Sequence, residues 1–165
     1  MPRLGVQNTN ASLYFNGSAT KVITPTNLVN STTAFTIAAY VKISNYTQFL
    51  SIFDCGGAGG FRLETASAGT NNIQFSVWNG ASQGTAITAR YNIGIWYRIV
   101  ATFNAGTIKL YRDESLRNST TGQTLTATTS AIGIGSRASG AQFFNGHIAN
   151  AVFFFFFSFT DQDVD

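Results

Sequence analysis

The sequence has 165 residues, enough for one domain with a substantial buried core. Only 10% of the residues are charged, whereas 44% are hydrophobic and 14% aromatic, which excludes a disordered chain and indicates a polar, weakly charged surface. The net charge is +3, but the ten basic residues are scattered, and this argues against nucleic-acid binding, which needs clustered positive charge. We therefore expect a single globular domain over residues 1–165.

Short segments of alternating apolar and polar residues follow one another along the first half of the chain. Asn, Gly, Ser and Thr separate them, and no segment shows a helical period of useful length. The predicted strands are residues 12–16, 20–24, 35–43, 48–54, 61–65, 73–78 and 85–89. This pattern predicts an all-β protein.

The clearest secondary-structure signal lies in residues 95–112, which read IWYRIVATFNAGTIKLYR. Tyr97, Ile99 and Phe103 alternate with residues of the opposite face, and the alternation resumes after the turn signal Ala105-Gly106. A period of two on both sides of a two-residue turn predicts a β-hairpin.

The last part of the sequence carries weaker strand signals. Strands are predicted around Leu116, around Leu125, over residues 132–135 and over residues 148–157. Many short strands in one domain of this size predict two packed antiparallel sheets or a barrel. The N-terminal residues show no signal peptide, and the apolar run 151–157 is too short to cross a bilayer, so we expect no membrane insertion.

Five consecutive aromatic residues break the alternation in the last predicted strand. They are Phe153, Phe154, Phe155, Phe156 and Phe157. Three explanations are open: another subunit covers the outward rings, a loop of the same chain covers them, or the residues are imperfectly assigned. The first makes the run a protein interface and predicts a homo-oligomer or a larger assembly.

The order of motifs along the chain resembles the laminin G-like, or concanavalin A-like, jelly-roll superfamily. The motifs are SLYFNGSATKVITP, FTIAAYVKI, IWYRIVATFNAGTIKLYRD, IGIGS, FFNGHIANAV and FTDQDV, which together extend from about residue 12 to residue 164. The resemblance implies a single-domain β-sandwich with a core over residues 12–164. It also implies hairpin turns at Asn16-Gly17 and Asn145-Gly146.

The resemblance further implies which bulky side chains fill the space between the two sheets. We expect Trp96, Phe103, Leu110 and Ile148 to lie there.

Residues suited to catalysis are few. Some relatives of this fold cleave polysaccharides, which requires two carboxylates flanking one bond, but Glu64 and Glu114 lie on separate predicted elements and Asp54 lies on another. His147 is the single histidine and Cys55 the single cysteine, so no nucleophile triad or His/Cys-rich metal site is expected, and Cys55 suits a buried position. We therefore expect no enzymatic activity.

Calcium is the one cofactor that the resemblance suggests, because many relatives hold this ion at the rim of the sandwich. Asp54, next to a glycine cluster, and Asp113, at the end of the central hairpin, are the candidate ligands. Asp113 equally suits a turn-forming role.

Sugar binding on this fold uses loop aromatics for stacking and amides for the hydroxyl groups. The candidate residues are Trp78, Asn79, Tyr46, Tyr91 and Gln142. Each of them equally suits packing at the rim.

Two functions are compatible with these features. The first is a structural or adhesion protein on the surface of a particle, such as a capsid decoration or fibre protein of a phage virion. The low content of charged residues and the Phe run support this function. The second is a carbohydrate-binding module, with or without calcium, that uses the rim residues.

Overall fold

A computed structural model describes residues 11–29, 34–45, 49–56, 59–67, 70–80, 83–84 and 87–155. Within these ranges the regular elements are β-strands, arranged in two antiparallel sheets of six strands each. In the same ranges, no helix has the length and apolar character needed to cross a membrane. The predicted all-β, two-sheet sandwich is therefore confirmed.

The strands follow one another along the chain with short connections. They are β1 (Leu13–Asn16), β2 (Val22–Ile23), β3 (Ala34–Ile43), β4 (Ser51–Cys55), β5 (Gly60–Thr65), β6 (Asn72–Trp78), β7 (Ile87–Arg90), β8 (Trp96–Asn104), β9 (Thr107–Arg112), β10 (Ser115–Thr120), β11 (Gly133–Ile134) and β12 (Asn145–Phe155). Sheet A has the spatial order β1-β12-β3-β8-β9-β10, and sheet B has the order β2-β11-β4-β5-β6-β7.

The predicted hairpin is formed by β8 and β9. Phe103 lies opposite Ile108, and Asn104 lies opposite Thr107. Ala105 and Gly106 both have positive φ, at 43° and 84°, as a two-residue type I′ turn requires. The hairpin prediction is confirmed.

The core lies between the sheets and is filled by alternate residues of the long strands. Phe35 of sheet A contacts Phe61 of sheet B with ring centroids 4.7 Å apart. The predicted core residues Phe103, Leu110 and Ile148 are buried there. Burial of apolar area at about 25 cal/mol per Å² is the main term that holds the two layers together.

Trp96 does not lie between the sheets, so that prediction is wrong. Its neighbours Tyr97 and Ile99 belong to the core cluster, on alternate positions of β8. Because successive side chains of a strand point to opposite faces, Trp96 lies on the outer face of sheet A, where it is 40% exposed.

The hairpin turns predicted at Asn16-Gly17 and Asn145-Gly146 are both wrong. After Asn16-Gly17 the chain passes from β1 in sheet A to β2 in sheet B. Gly146 lies inside β12, opposite Ile43, and a Cβ there would meet the Lys42 carbonyl. Its glycine is therefore explained by the close approach of β3 rather than by a turn.

Leu125 is not in a strand, which contradicts that sequence prediction. Residues 121–127 have no strand, and Thr128 forms only an isolated bridge with Val29.

A β-bulge explains how β12 accommodates its phenylalanines. The register against β3 shifts between Ala149 and Val152, and this extra residue changes which positions face the core. Phe153 then stacks on Phe35, with ring centroids 5.5 Å apart, so its ring is partly buried against the core rather than on the outer face. Phe154 lies on the outer face and is 42% exposed.

The structure describes only part of the remaining Phe run. For Phe155 the backbone pairing with Phe35 is described. Phe156 and Phe157 lie outside the described residues.

Candidate functional site

The outer face of sheet B carries a buried layer of polar side chains. Asp54 on β4 lies opposite Arg62 on β5, and Glu64 on β5 lies opposite Gln74 on β6. Asp54 is 3% exposed and Glu64 is 2% exposed. Charged groups at this depth need ion-pair and hydrogen-bond partners, and the arrangement of those partners defines the site.

Two arginines neutralise the two carboxylates. Arg62 Nε donates a hydrogen bond to Asp54 Oδ2 at 2.8 Å. Arg137, from the loop after β11, bridges both acids, because its Nε lies 3.9 Å from Asp54 Oδ2 and its Nη2 lies 3.8 Å from Glu64 Oε2. Gln74 Nε2 donates to Glu64 Oε1 at 2.9 Å. The cluster therefore pairs two positive with two negative groups.

Burial dominates the electrostatics of both acids. Loss of solvent raises the pKa of Asp54, although the charge and hydrogen bond of Arg62, the charge of Arg137 and the Ala138 N–H oppose that rise. Loss of solvent also raises the pKa of Glu64, against the hydrogen bond from Gln74 and the charges of the two arginines. Both carboxylates are therefore easier to protonate than in water.

Several polar atoms around this cluster have no hydrogen-bond partner within the described part of the chain. They are Ser51 Oγ, Glu64 Oε2, Trp78 Nε1, Arg137 Nε and Gln142 Oε1. A buried donor or acceptor left without a partner costs about 1–3 kcal/mol. Water or a ligand that both donates and accepts hydrogen bonds would remove that cost.

A tryptophan closes one side of the cluster. Trp78, the last residue of β6, lies against Arg62, whose guanidinium carbon is 4.5 Å from the ring centroid. Asn79 follows it and is exposed. We call Ser51, Asp54, Arg62, Glu64, Trp78, Arg137 and Gln142 the polar cluster of sheet B.

The polar cluster brings together three of the residues predicted from the sequence. Trp78 and Asp54 both contact Arg62. The backbone carbonyl of Gln142 accepts a hydrogen bond from the Ser51 N–H at 3.0 Å. This bond attaches the loop before β12 to the first residue of β4. Arg62 and Arg137 are not among the predicted residues, because no spacing along the chain places them beside the acids.

The other predicted sugar-binding residues lie elsewhere. Tyr91 is 2% exposed, and its hydroxyl donates to the Asn45 carbonyl at 3.5 Å, so its ring offers no open face for stacking. Tyr46 lies outside the described residues.

The two predicted calcium ligands do not fit that ion. Asp54 faces two guanidinium groups, which repel a divalent cation. Asp113 lies in the β9–β10 turn with φ 50°, where its Oδ1 accepts the Arg98 N–H at 3.0 Å. No group of three or more His, Cys, Asp or Glu suited to a metal ion occurs in the described ranges.

Cys55 is buried on the core side of sheet B. Its environment raises the pKa of the thiol to about 12, through loss of solvent first and the neighbouring Asp54 charge second. A thiol with that pKa is unreactive at neutral pH.

The fold is a two-sheet jelly-roll β-sandwich, and the outer face of one sheet carries a cluster of buried polar side chains. The chain belongs to the concanavalin A-like lectin/glucanases superfamily, whose laminin G-type family model matches residues 16–156. No curated protein sequence matches this chain.

Solved structures of low sequence identity share this fold. A heptameric SAP-like pentraxin from Limulus polyphemus has a TM-score of 0.75 and 14% identity, over 97% of this chain and 82% of the other. Domain 4 of an extracellular arabinanase from Geobacillus stearothermophilus has a TM-score of 0.73 and 16% identity, over 93% and 74%. Domains LG4-5 of the mouse laminin alpha1 chain have a TM-score of 0.69 and 18% identity, over 86% and 40%. At these identities the likeness concerns the fold.

Proposed function

We propose that this protein is a non-catalytic carbohydrate-binding domain whose ligand contacts the polar cluster of sheet B. The observation that carries the proposal is the set of buried polar atoms without hydrogen-bond partners in the polar cluster, Trp78 Nε1 among them. Among similar structures, the arabinanase domain is described in complex with arabinotriose. For botulinum neurotoxin type C, with a TM-score of 0.69, cell entry is described as dependent on interaction with two ganglioside molecules.

The mixture of donors and acceptors favours a sugar over other ligands. Trp78 Nε1 and Arg137 Nε are donors. Gln142 Oε1 is an acceptor, and Glu64 Oε2 is an acceptor when the carboxyl group is ionised. Sugar hydroxyls do both and can satisfy such a set. The positive and negative groups of the cluster balance in number, which favours a neutral glycan.

The same geometry argues against a hydrolase. A glycosidase needs one carboxylic acid free to protonate the leaving group and a second facing the sugar or a water. Here Asp54 is held by Arg62 at 2.8 Å, and Arg137 lies against both acids. The two carboxylates are adjacent, which their separation along the chain did not predict, but Asp54 Oδ2 accepts from Arg62 and Glu64 Oε1 accepts from Gln74.

The test is binding of neutral oligosaccharides, starting with arabinotriose, followed by calorimetry. We expect Trp78→Ala to abolish binding and Gln142→Ala to weaken it. Leu116→Ala is the control, because it removes an exposed apolar side chain from β10 of the other sheet. If neutral glycans do not bind at millimolar concentration, or if Trp78→Ala binds as well as the wild type, the proposal is wrong.

A role on the surface of a virion or another particle is the second candidate function. The observation that favours it is the exposure of Val152 at 38% and Phe154 at 42% on the outer face of β12. Apolar side chains of this kind suit a protein partner, a second copy included. Sedimentation of the wild type and of Val152→Ser tests it, and a monomer in both cases would count against it.

A further inference from the structure

We infer that the outer face of sheet A holds a second ligand site, suited to a sugar that carries a carboxylate. The site consists of Tyr14, His147, Lys42 and Trp96, which we call the aromatic row. It lies on the sheet opposite to the polar cluster, and it does not depend on the function proposed for that cluster.

The aromatic row is a line of direct cross-strand partners. Tyr14 lies opposite His147, His147 opposite Lys42, and Lys42 opposite Trp96. These residues belong to β1, β12, β3 and β8, which are adjacent in sheet A. Since neighbouring strands are about 4.8 Å apart, the row extends about 14 Å across the sheet, enough for more than one sugar ring.

The rings of the row are close together and accessible. The His147 ring centroid lies 5.1 Å from that of Tyr14 and 6.1 Å from that of Trp96. Tyr14 is 56% exposed and Trp96 is 40% exposed. Ser12 Oγ lies 3.2 Å from His147 Nδ1, which orients the imidazole between the two larger rings. Such a line of aromatic faces can stack against the C–H faces of sugars.

Lys42 gives the row its expected selectivity. Its Nζ lies 5.6 Å from the centroid of the Trp96 ring. An ammonium group beside a stacking platform is placed to pair with a carboxylate on the sugar that covers the ring.

The charge of the surrounding strands supports an acidic ligand. The four strands β1, β3, β8 and β12 contain no Asp or Glu within their described bounds, but they contain Lys42 and Arg98. The nearest acid to Arg98 in the ion pairs of the described residues is Glu114, at 3.7 Å on the β9–β10 turn. Because Arg98 has an acidic partner, the row carries the positive charge of Lys42 with no acid on its own strands, in contrast to the balanced polar cluster.

The sequence supplies a separate reporter for each site. Trp78 and Trp96 are the two tryptophans, one in each proposed site, and His147 is the single histidine. In a Trp78→Phe variant, tryptophan emission reports on the aromatic row alone. The ring resonances of His147 provide a second, independent signal by NMR.

The experiment titrates this variant with trigalacturonic acid and, as the uncharged counterpart, with galactotriose. We expect the acidic trisaccharide to change Trp96 emission, to shift the His147 resonances and to bind at least about tenfold more tightly than the neutral one, as a charge-assisted hydrogen bond implies. Lys42→Gln should remove most of that preference, and Lys42→Arg should retain it. Lys21→Gln is the matched control, because it removes an exposed positive charge from outside the row.

Three outcomes would overturn the inference. The first is that the Trp96 and His147 signals stay unchanged at 10 mM trigalacturonic acid, about the weakest affinity that would still indicate a site. The second is that galactotriose binds as tightly as trigalacturonic acid. The third is that Lys21→Gln loses as much affinity as Lys42→Gln. A response of Trp96 to phosphatidylserine vesicles without a response to the sugar would also contradict it. None of these results affects binding of neutral glycans at Trp78, so the two proposals fail separately.

Discussion

Arg62 donates a hydrogen bond from Nε to Asp54 Oδ2 at 2.8 Å, within an ion pair whose side chains are 13% and 4% exposed. Removing one partner of a buried pair costs about 3–5 kcal/mol, and without Arg62 the nearest guanidinium to Asp54 is Arg137, at 3.9 Å without a hydrogen bond. We therefore expect Arg62→Ala to lower the free energy of unfolding by about 3 kcal/mol, measured by urea denaturation.

A second substitution identifies the cause of that loss. Adding Asp54→Asn to Arg62→Ala removes the uncompensated charge and should restore more than half of the stability. Glu114→Ala, which breaks the exposed pair with Arg98, is the control and should change stability by less than about 1 kcal/mol. Equal effects of the buried and the exposed substitutions would contradict this account.

Glu64 should make stability depend on pH. Burial raises the pKa of its carboxyl above the ordinary value of 4.5. Between that value and the raised pKa, the folded state keeps a proton that the unfolded state releases, so this group's contribution to stability falls as the pH rises. Gln at this position cannot titrate, and its carbonyl can still accept from Gln74.

The expected result is that Glu64→Gln becomes more stable relative to the wild type as the pH rises from the ordinary pKa of 4.5 through the raised pKa of Glu64. Urea denaturation of both proteins across this range measures the difference. A difference that stays constant or shrinks with pH would show that burial does not control this carboxyl.

Gly135 is expected to tolerate no side chain. Its φ is 74°, and a Cβ would collide with the buried ring of Phe15. Gly122 has nearly the same φ, 72°, with nothing within 4 Å of the Cβ position. Gly122→Ala should therefore cost about 1 kcal/mol for the backbone conformation alone, and Gly135→Ala about 3 kcal/mol because Phe15 must also move.

Urea unfolding of the two variants gives this comparison directly. Equal losses would mean that the packing of Phe15 against the Gly135 backbone contributes nothing.

Chelation should leave the protein unchanged. A bound ion stabilises a fold in proportion to the logarithm of its concentration over its dissociation constant, but the arginines beside Asp54 exclude a cation there. We expect the same Tm in about 5 mM EDTA, a large excess over protein, as in added calcium. A Tm that rises with calcium would show an ion site elsewhere in the chain.

The alternation of residues along the chain was enough to predict most of the strands and their central hairpin, although not the absence of a strand at Leu125. Tyr97, Ile99 and Phe103 occupy one side of β8 because the side-chain period of a strand is two, whatever surrounds it. The same local rule located Trp78 at the end of its strand.

Local rules could not say which residues of separate strands become neighbours. Asp54, Glu64 and Arg137 meet because β11, β4 and β5 are adjacent in sheet B, and the order of strands depends on how the two layers pack. The bulge in β12 likewise decided that Phe153 faces the core, since one extra residue reverses the faces of all that follow.

The sequence by itself therefore determined that this chain forms alternating strands, because alternation is a property of each strand alone. Only the tertiary structure decided where its polar and aromatic side chains gather. The physical reason is that pairing across strands joins residues that are distant in sequence, and the choice among pairings depends on the whole buried core.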